Sequence, residues 1–282
     1  MAAVPVTMPM DANAPIGVFD SGVGGLSVLR HIQQDLPGEH LLYFSDARFA
    51  PYGGLPAEQI EARALIIGAY LMERGVKAVV VACNTATAVA IAALRRTYPE
   101  LILVGVEPGL KPAAAQSAAK IVGVLATEAT LGSARFALLR DQISTATGVR
   151  FITQACPGLV DLIERGELDS AATRALLQRY TLPLLDSGVD TLVLGCTHYP
   201  FVLKQLEAIV QAHAGNRVTV VDTGAAIARQ LARVLELRAG LRVDARGSVE
   251  GVTSGPAHDL QRAFMNLMQQ DVAVTCLGET AH

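Results

Sequence analysis

Tryptophan is absent from this 282-residue chain, and aromatic residues make up only 5% of it. Ala, Val, Leu and Ile must therefore fill the interior, and 51% hydrophobic residues are enough for a sizeable core. Long apolar runs are missing too. The runs last four to eight residues and stop at Gly, Pro, Asp or Asn, well short of the ~20 that a membrane-spanning helix needs. No Lys/Arg run occurs and the net charge is −3, which argues against a nucleic-acid footprint. The four cysteines, Cys83, Cys156, Cys196 and Cys276, form no Cys-x-x-Cys pair and no zinc-like spacing. Reduced thiols and a cytoplasmic setting are expected. The opening "MAAVPVTMPMDANAP" lacks the basic region and apolar core of a signal peptide and reads as a short mobile lead-in.

What is present is alternation. "IGVFD" (16–20), "HLLYFS" (40–45), "AVVVA" (78–82), "ILVGV" (102–106), "KIVGVLA" (120–126), "RFITQ" (150–154), "TLVLG" (191–195) and "RVTVVD" (217–222) read as buried parallel strands. Helix-period segments lie between them. "PAEQIEARALIIGAYLMER" begins at Pro56 and is followed by Gly75; "AATRALLQRYTLPLLDSG" and "AAIARQLARVLELRAG" have the same character. This pattern predicts an α/β fold with helices on both faces of parallel sheet.

The chain also repeats. "GVKAVVVACNTATAVAIAALRR" and "GVDTLVLGCTHYPFVLKQLEAI" align without a gap from Gly75 and Gly188, and Cys83 and Cys196 fall in register. Upstream, "IGVFDSGVGGLSVL" faces "VGVLATEATLGSAR". Two similar doubly wound halves related by a pseudo-two-fold axis are expected, with a cleft between them. "SVEGVTSGPAHDLQRAFMNLMQQDVAVTCL" has no counterpart and is expected to pack back onto the first half.

Ligands of open parallel sheets bind beyond the carboxyl ends of the strands, where both repeated cysteines sit. Each is expected just before a helix, whose N-terminus lowers a thiol's pKa and holds carboxylates. A single cysteine after an apolar strand is more often plain core. Two in register, each followed by polar residues (Asn84 and Thr85; Thr197 and His198), point to chemistry instead. Cys156 and Cys276 lack that setting and are assigned to packing. "DSGVGG" closes the first strand, with Asp20 and Ser21 at its end and glycines that let backbone approach a ligand. It is not the Gly-x-Gly-x-x-Gly dinucleotide pattern, and "DAR" (46–48) is a weak ribose acid. Tyr52 in "APYGG" suits ordinary loop packing, and Glu164 lies on a predicted helix that by default faces solvent.

Two thiols on opposite sides of one cleft can supply a base to one face of a carbon and an acid to the other. That is the requirement of racemisation or epimerisation. An ordinary thiol pKa near ~8.5 lets small shifts leave one group as thiolate and the other as thiol. Pyridoxal phosphate needs a Schiff-base lysine; Lys77, Lys111, Lys120 and Lys204 are the only lysines, and none has a suitable setting. The expected reaction uses no cofactor and no metal.

At these residues the chain closely resembles the glutamate racemases, bacterial enzymes that make D-glutamate for peptidoglycan. "IGVFDSGVGGLSVL", "YFSDARFAPYG", "ACNTATA", "VEPG", "ACPGLVDLIERGE", "LGCTHYPFV" and "VDTGAAIA" carry the likeness from about Ile16 to Ala228. "TSG…DLQRAF" is similar to the family's C-terminal segment. The resemblance implies Cys83 and Cys196 as catalytic thiols, supported by Asp20 and His198, with Glu164 a further acid on the second side. It implies that Cys83 deprotonates D-glutamate and Cys196 L-glutamate. It further implies substrate binding by Asp20, Ser21, Pro51, Tyr52, Gly53, Asn84, Thr85, Thr127, Thr197 and His198. "ATEATLGS" departs from the family's glycine-threonine run, with Ala126 and Ala129 in place of glycines. Residues 15–106 and 218–282 are expected to form one domain and 107–217 the other. The expected partner is small-molecule glutamate, with no nucleic acid or membrane. A homodimer is compatible with the resemblance, which does not fix the oligomeric state.

Three rivals stand beside this reading. An aspartate or hydantoin racemase shares the two-thiol plan. A cysteine hydrolase using Cys196 and His198 leaves Cys83 unexplained and sets base and nucleophile unusually close in sequence. A non-catalytic binding protein would leave both thiols unused.

Overall fold

The computed structural model describes residues 11–238, 240–242 and 246–278. Much of the expected lead-in lies outside these residues. Its last part is tied down: Ala12 O accepts from Lys77 Nζ and Pro15 O from Lys77 N.

Among the described residues, ten strands form two parallel sheets. They are β1 (Ile16–Asp20), β2 (Leu41–Ser45), β3 (Ala78–Val81), β4 (Ile102–Gly105), β5 (Ile121–Ala126), β6 (Arg150–Ala155), β7 (Thr191–Gly195), β8 (Thr219–Val221), β9 (Val249–Thr253) and β10 (Val274–Cys276). The first sheet runs β10-β9-β2-β1-β3-β4 and the second β6-β5-β7-β8. The inner strands β1, β3 and β7 are buried throughout, as continuous Val/Ile/Leu runs predict for sheet covered on both sides.

The repeat seen in the sequence is a repeat in space. Read from β2 and from β6, the four strands that correspond follow the same order in both sheets. Register agrees as well. Ile16 pairs with Ala78 in the first sheet, and Val122 with Thr191 in the second, which are the same two repeat positions. Gly75 and Gly188, the repeat's starting points, both take left-handed backbone (φ +69° and +82°) to end the preceding helix.

Helices cover both faces of each sheet. One face of the first sheet packs Ile16, Val18 and Val80 against helices Leu26–Asp35 and Gly224–Leu237. The other packs Phe19, Val79 and Val81 against Ala57–Glu73 and Asn84–Thr97. In the second sheet, Leu125, Leu192 and Leu194 meet Ala171–Asp186 and Leu203–Ala214. On its other face, Val122, Val124 and Val193 meet Leu110–Gln116 and Ala134–Thr147. Burial of each large aliphatic side chain contributes roughly 1.5–3 kcal/mol. The C-terminal segment returns to the first half, adding β9 and β10 beside β2.

Two expectations need correction. "RFITQ" is an edge strand, and β6 is partly exposed along its whole length, because only β5 flanks it. The expected domain boundary after residue 217 puts Thr219–Val221 in the first domain, yet these residues pair with β7 in the second sheet. The chain crosses between sheets at two places that touch: a Cβ on Gly109 would lie 2.9 Å from Thr223 Cγ2. Among the described residues, no helix is long and apolar enough to cross a membrane.

Candidate active site

Both repeated thiols open onto one cavity of about 220 Å3 between the halves. Ser21, Pro51, Tyr52, Gly53, Cys83, Asn84 and Thr85 line it from the first half, and Thr127, Cys196, Thr197 and His198 from the second. Eleven positions picked out in the sequence thus converge from segments far apart in the chain. Asp20 and Glu164 stand behind this lining.

The two thiols sit differently despite their matched strands. Cys83 caps the helix Asn84–Thr97, and its Sγ accepts from Ala86 N at 3.5 Å and lies 3.6 Å from Ser21 Oγ. Burial, then the nearby Asp20 charge, push this thiol up to about 12. Cys196 is not followed at once by an α-helix, contrary to expectation. A 3-10 turn, Tyr199–Val202, comes first, and the α-helix begins at Leu203. Pro200 has no N–H to donate back to Cys196, so the segment closes through shorter bonds, Tyr199 N to Cys196 O and Phe201 N to His198 O. In place of a helix cap, Cys196 Sγ has His198 Nδ1 at 3.6 Å.

His198 continues to an acid. Its Nε2 lies 2.6 Å from Glu164 Oε1, with side chains 4% and 22% exposed. Glu164 is therefore not the solvated helix residue that its local sequence suggested. Burial opposes charge on His198, but the contacts with Cys196 and Glu164 outweigh it and hold the imidazole well above its ordinary value. For Glu164, burial is outweighed by the His198 contact and by Val23 N, which donates at 2.9 Å; its carboxyl is lowered.

Asp20 is fully buried, and burial raises its carboxyl against the opposing charge of His198. Its Oδ1 accepts from Gly22 N at 2.7 Å, and its Oδ2 from Thr197 Oγ1 at 3.2 Å. The halves also meet through Ser27 Oγ, which donates to Thr197 O at 2.8 Å, and through Thr85 and Thr127, whose hydroxyls lie 2.9 Å apart. The glycines of "DSGVGG" make this approach sterically possible. A Cβ on Gly22 would collide with the Glu164 carboxylate, and one on Gly24 with the His198 ring.

Two residues gain importance that the sequence did not give them. Cys156 lines the cavity rather than only packing a core. Its own segment carried no sign of this, since Pro157 and Gly158 follow it in place of polar residues; burial pushes its thiol up to about 12. Cys276, also assigned to packing, is exposed at the sheet edge. Asp46 lies behind Tyr52, whose hydroxyl donates to Asp46 Oδ2 at 2.5 Å.

The chain is similar to known proteins in both sequence and fold. A glutamate racemase from Ectopseudomonas mendocina is 51% identical over 270 residues, 96% of this chain and 97% of that protein. The crystal structure of glutamate racemase isoform RacE1 from Bacillus anthracis superposes with TM-score 0.85 at 29% identity, covering 95% of this chain and 98% of that one. The structure of a Francisella tularensis glutamate racemase in complex with D-glutamate gives 0.82 at 25% identity, covering 96% and 100%. A sequence model of the Asp/Glu/Hydantoin racemase family matches residues 16–231, and with two matched halves closing on one thiol-lined cavity, this chain belongs to that family.

Proposed function

We propose that this protein is a cofactor-independent glutamate racemase, an isomerase interconverting L- and D-glutamate, and that it supplies D-glutamate for peptidoglycan in the cytoplasm. The observation that carries the mechanism is that Cys83 and Cys196, at corresponding strand ends of matched halves, line one cavity. Glutamate as substrate comes from the relatives' names. The working units are residues 15–106 with the segment from 222 onward, and residues 107–221.

Starting from D-glutamate, Cys83 as thiolate removes the Cα proton and becomes a thiol. The electron pair left on Cα delocalises into the α-carboxylate. Cys196 as thiol then delivers its proton to the opposite face, giving L-glutamate. The reverse reaction exchanges the roles. Burial favours the neutral Cys83 thiol. Asp20 takes its proton, and the substrate's α-ammonium charge stabilises the thiolate. His198, held charged by Glu164, stabilises Cys196 as thiolate when it must act as base. Ser21, Asn84, Thr85, Thr127 and Thr197 offer side-chain donors to the substrate's carboxylates. The turn that follows Pro51 offers the backbone N–H groups of Tyr52 and Gly53, which the start of any helical turn leaves without internal partners.

Circular dichroism of L- and D-glutamate incubated with chelator-treated protein and no added cofactor tests the activity. Turnover of aspartate but not glutamate would overturn the substrate choice. Cys83→Ser and Cys196→Ser should each abolish racemisation in both directions. Cys83→Ser should still eliminate from an L-analogue bearing a leaving group at Cβ, and Cys196→Ser from the D-analogue, since elimination needs only the first deprotonation. Elimination from the same enantiomer by both variants would refute the facial assignment.

A further inference from the structure

The wall of the cavity contributed by the 3-10 turn Tyr52–Gly54 is held from behind by a buried charged group that does not line the cavity. Asp46 follows β2 directly and is fully buried. Its backbone N donates to Asp20 O at 3.0 Å, which ties it to the end of β1. Its carboxylate is gripped by Arg63 of the helix Ala57–Glu73, with Nε on Oδ2 at 3.0 Å and an Nη on Oδ1 at 2.9 Å. Oδ2 also accepts the Tyr52 hydroxyl. The guanidinium stacks on Phe49 at 4.0 Å, between Asp46 and Tyr52 in the chain.

This two-pronged pair fixes direction as well as distance. Arg63 orients the Asp46 carboxylate, and the carboxylate orients Tyr52. Burial, and then Asp46, push the Tyr52 hydroxyl far above its ordinary value, so it remains a neutral donor. The turn then faces the second half at close range: a Cβ on Gly53 would lie 3.2 Å from Thr127 Cβ. Small movement of Tyr52 therefore changes the gap between the two walls that meet the substrate.

We propose that Asp46 and Arg63 are positioning residues, holding the Tyr52–Gly54 turn at the spacing from Thr127 that substrate binding requires. The proposal rests on the reading that glutamate binds at this wall. Because the pair acts through Tyr52 on a binding wall and not on the thiols, its loss should appear in KM and spare kcat.

The experiment compares wild type, Tyr52→Phe, Asp46→Asn, the double variant and Arg63→Lys in steady-state glutamate racemisation, with melting temperatures alongside. Tyr52→Phe removes one hydrogen bond to a charged group and should raise KM about tenfold while kcat stays within about threefold. Asp46→Asn should raise KM at least as far, and the double variant no further. Arg63→Lys, which keeps the charge but not the two-pronged grip, should fall between wild type and Asp46→Asn. Unchanged KM in Tyr52→Phe would overturn the proposal even if Asp46→Asn fails to fold. So would additive KM effects, or lower melting temperatures with native kinetics. Wild type inactive on glutamate would remove the functional reading and this proposal with it; active wild type with native KM in Tyr52→Phe would remove this proposal alone.

Discussion

Replacing Gly24 with alanine should slow proton abstraction by Cys196 more than abstraction by Cys83. A Cβ at this position would lie 2.5 Å from His198 Cε1 and 2.7 Å from Thr197 Oγ1, with Nδ1 in collision. Comfortable carbon–carbon contact is about 3.5–4.0 Å, so the ring must retreat by about 1 Å. That retreat disturbs the 3.6 Å contact with Cys196 and the 2.6 Å contact with Glu164 together. A misplacement near 1 Å costs on the order of 100-fold in a reaction that depends on alignment. The backbone at Gly24 is not left-handed, so alanine adds steric conflict and no backbone strain. Elimination from enantiomeric analogues with a leaving group at Cβ separates the faces. If Cys196 handles the L-analogue and Cys83 the D-analogue, as proposed, the first should slow about 100-fold and the second by less than about tenfold, through the crowding of Thr197 Oγ1 beside Asp20. Gly132→Ala, with nothing within 4 Å of the new methyl, is the control and should leave both rates unchanged. Equal slowing of both analogues, or native rates for both, would refute the link between Gly24, His198 and Cys196.

The Glu164–His198 pair gives a pH-dependent contribution to stability. Glu164 is lowered in the folded protein, so its share is complete above the unfolded value near ~4.3 and is lost as pH falls through its folded value. His198 is raised, so its share is complete below ~6.5 and is lost as pH rises through its folded value. Urea titrations of wild type and Glu164→Gln should therefore differ most between about pH 4.3 and 6.5; a constant difference from pH 3 to 9 would contradict the pairing. The ion pair of Lys77 and Glu39, 2.5 Å long with both side chains 1% exposed, should be structural only. Lys77→Met strands a buried carboxylate at a cost of about 3–5 kcal/mol and should lower the melting temperature by about 10 °C with KM unchanged. An unchanged melting temperature would show that the pair contributes nothing net.

Patterns confined to one segment were legible in the sequence. Buried parallel strands read as continuous apolar runs, and the repeat around Cys83 and Cys196 shows the matched halves in the sequence itself. Features set by distant partners were not. Glu164 looks solvent-facing on its own helix because His198 and Val23, which bury it, lie 34 and 141 positions away. The Asp46 carboxylate was weighed only against ribose, since neither Tyr52 nor Arg63 betrays a hydrogen bond by its local context. β6 was expected to be buried because Phe151 and Ile152 resemble core; lying at an edge is a property of the sheet, which no strand carries in its own residues. The resemblance to a known family supplied Glu164 as an expected acid and added Pro51, Tyr52, Gly53 and Thr127 to the expected binding residues, which the local patterns alone did not reach.

The matched sheets present mirror-related faces of a carbon with groups that are not themselves matched: a helix-capping thiol beside Asp20 on one side, a thiol with imidazole and carboxylate on the other. Free L- and D-glutamate have equal free energy in water, so their equilibrium constant is one whatever the protein does. The specificity constants kcat/KM for the two directions must then be equal, and no substitution can separate them. The unlike surroundings of Cys83 and Cys196 are free to change only how that common value is divided. The enantiomer whose bound complex is the more stable saturates the enzyme at lower concentration and, in exact proportion, turns over more slowly.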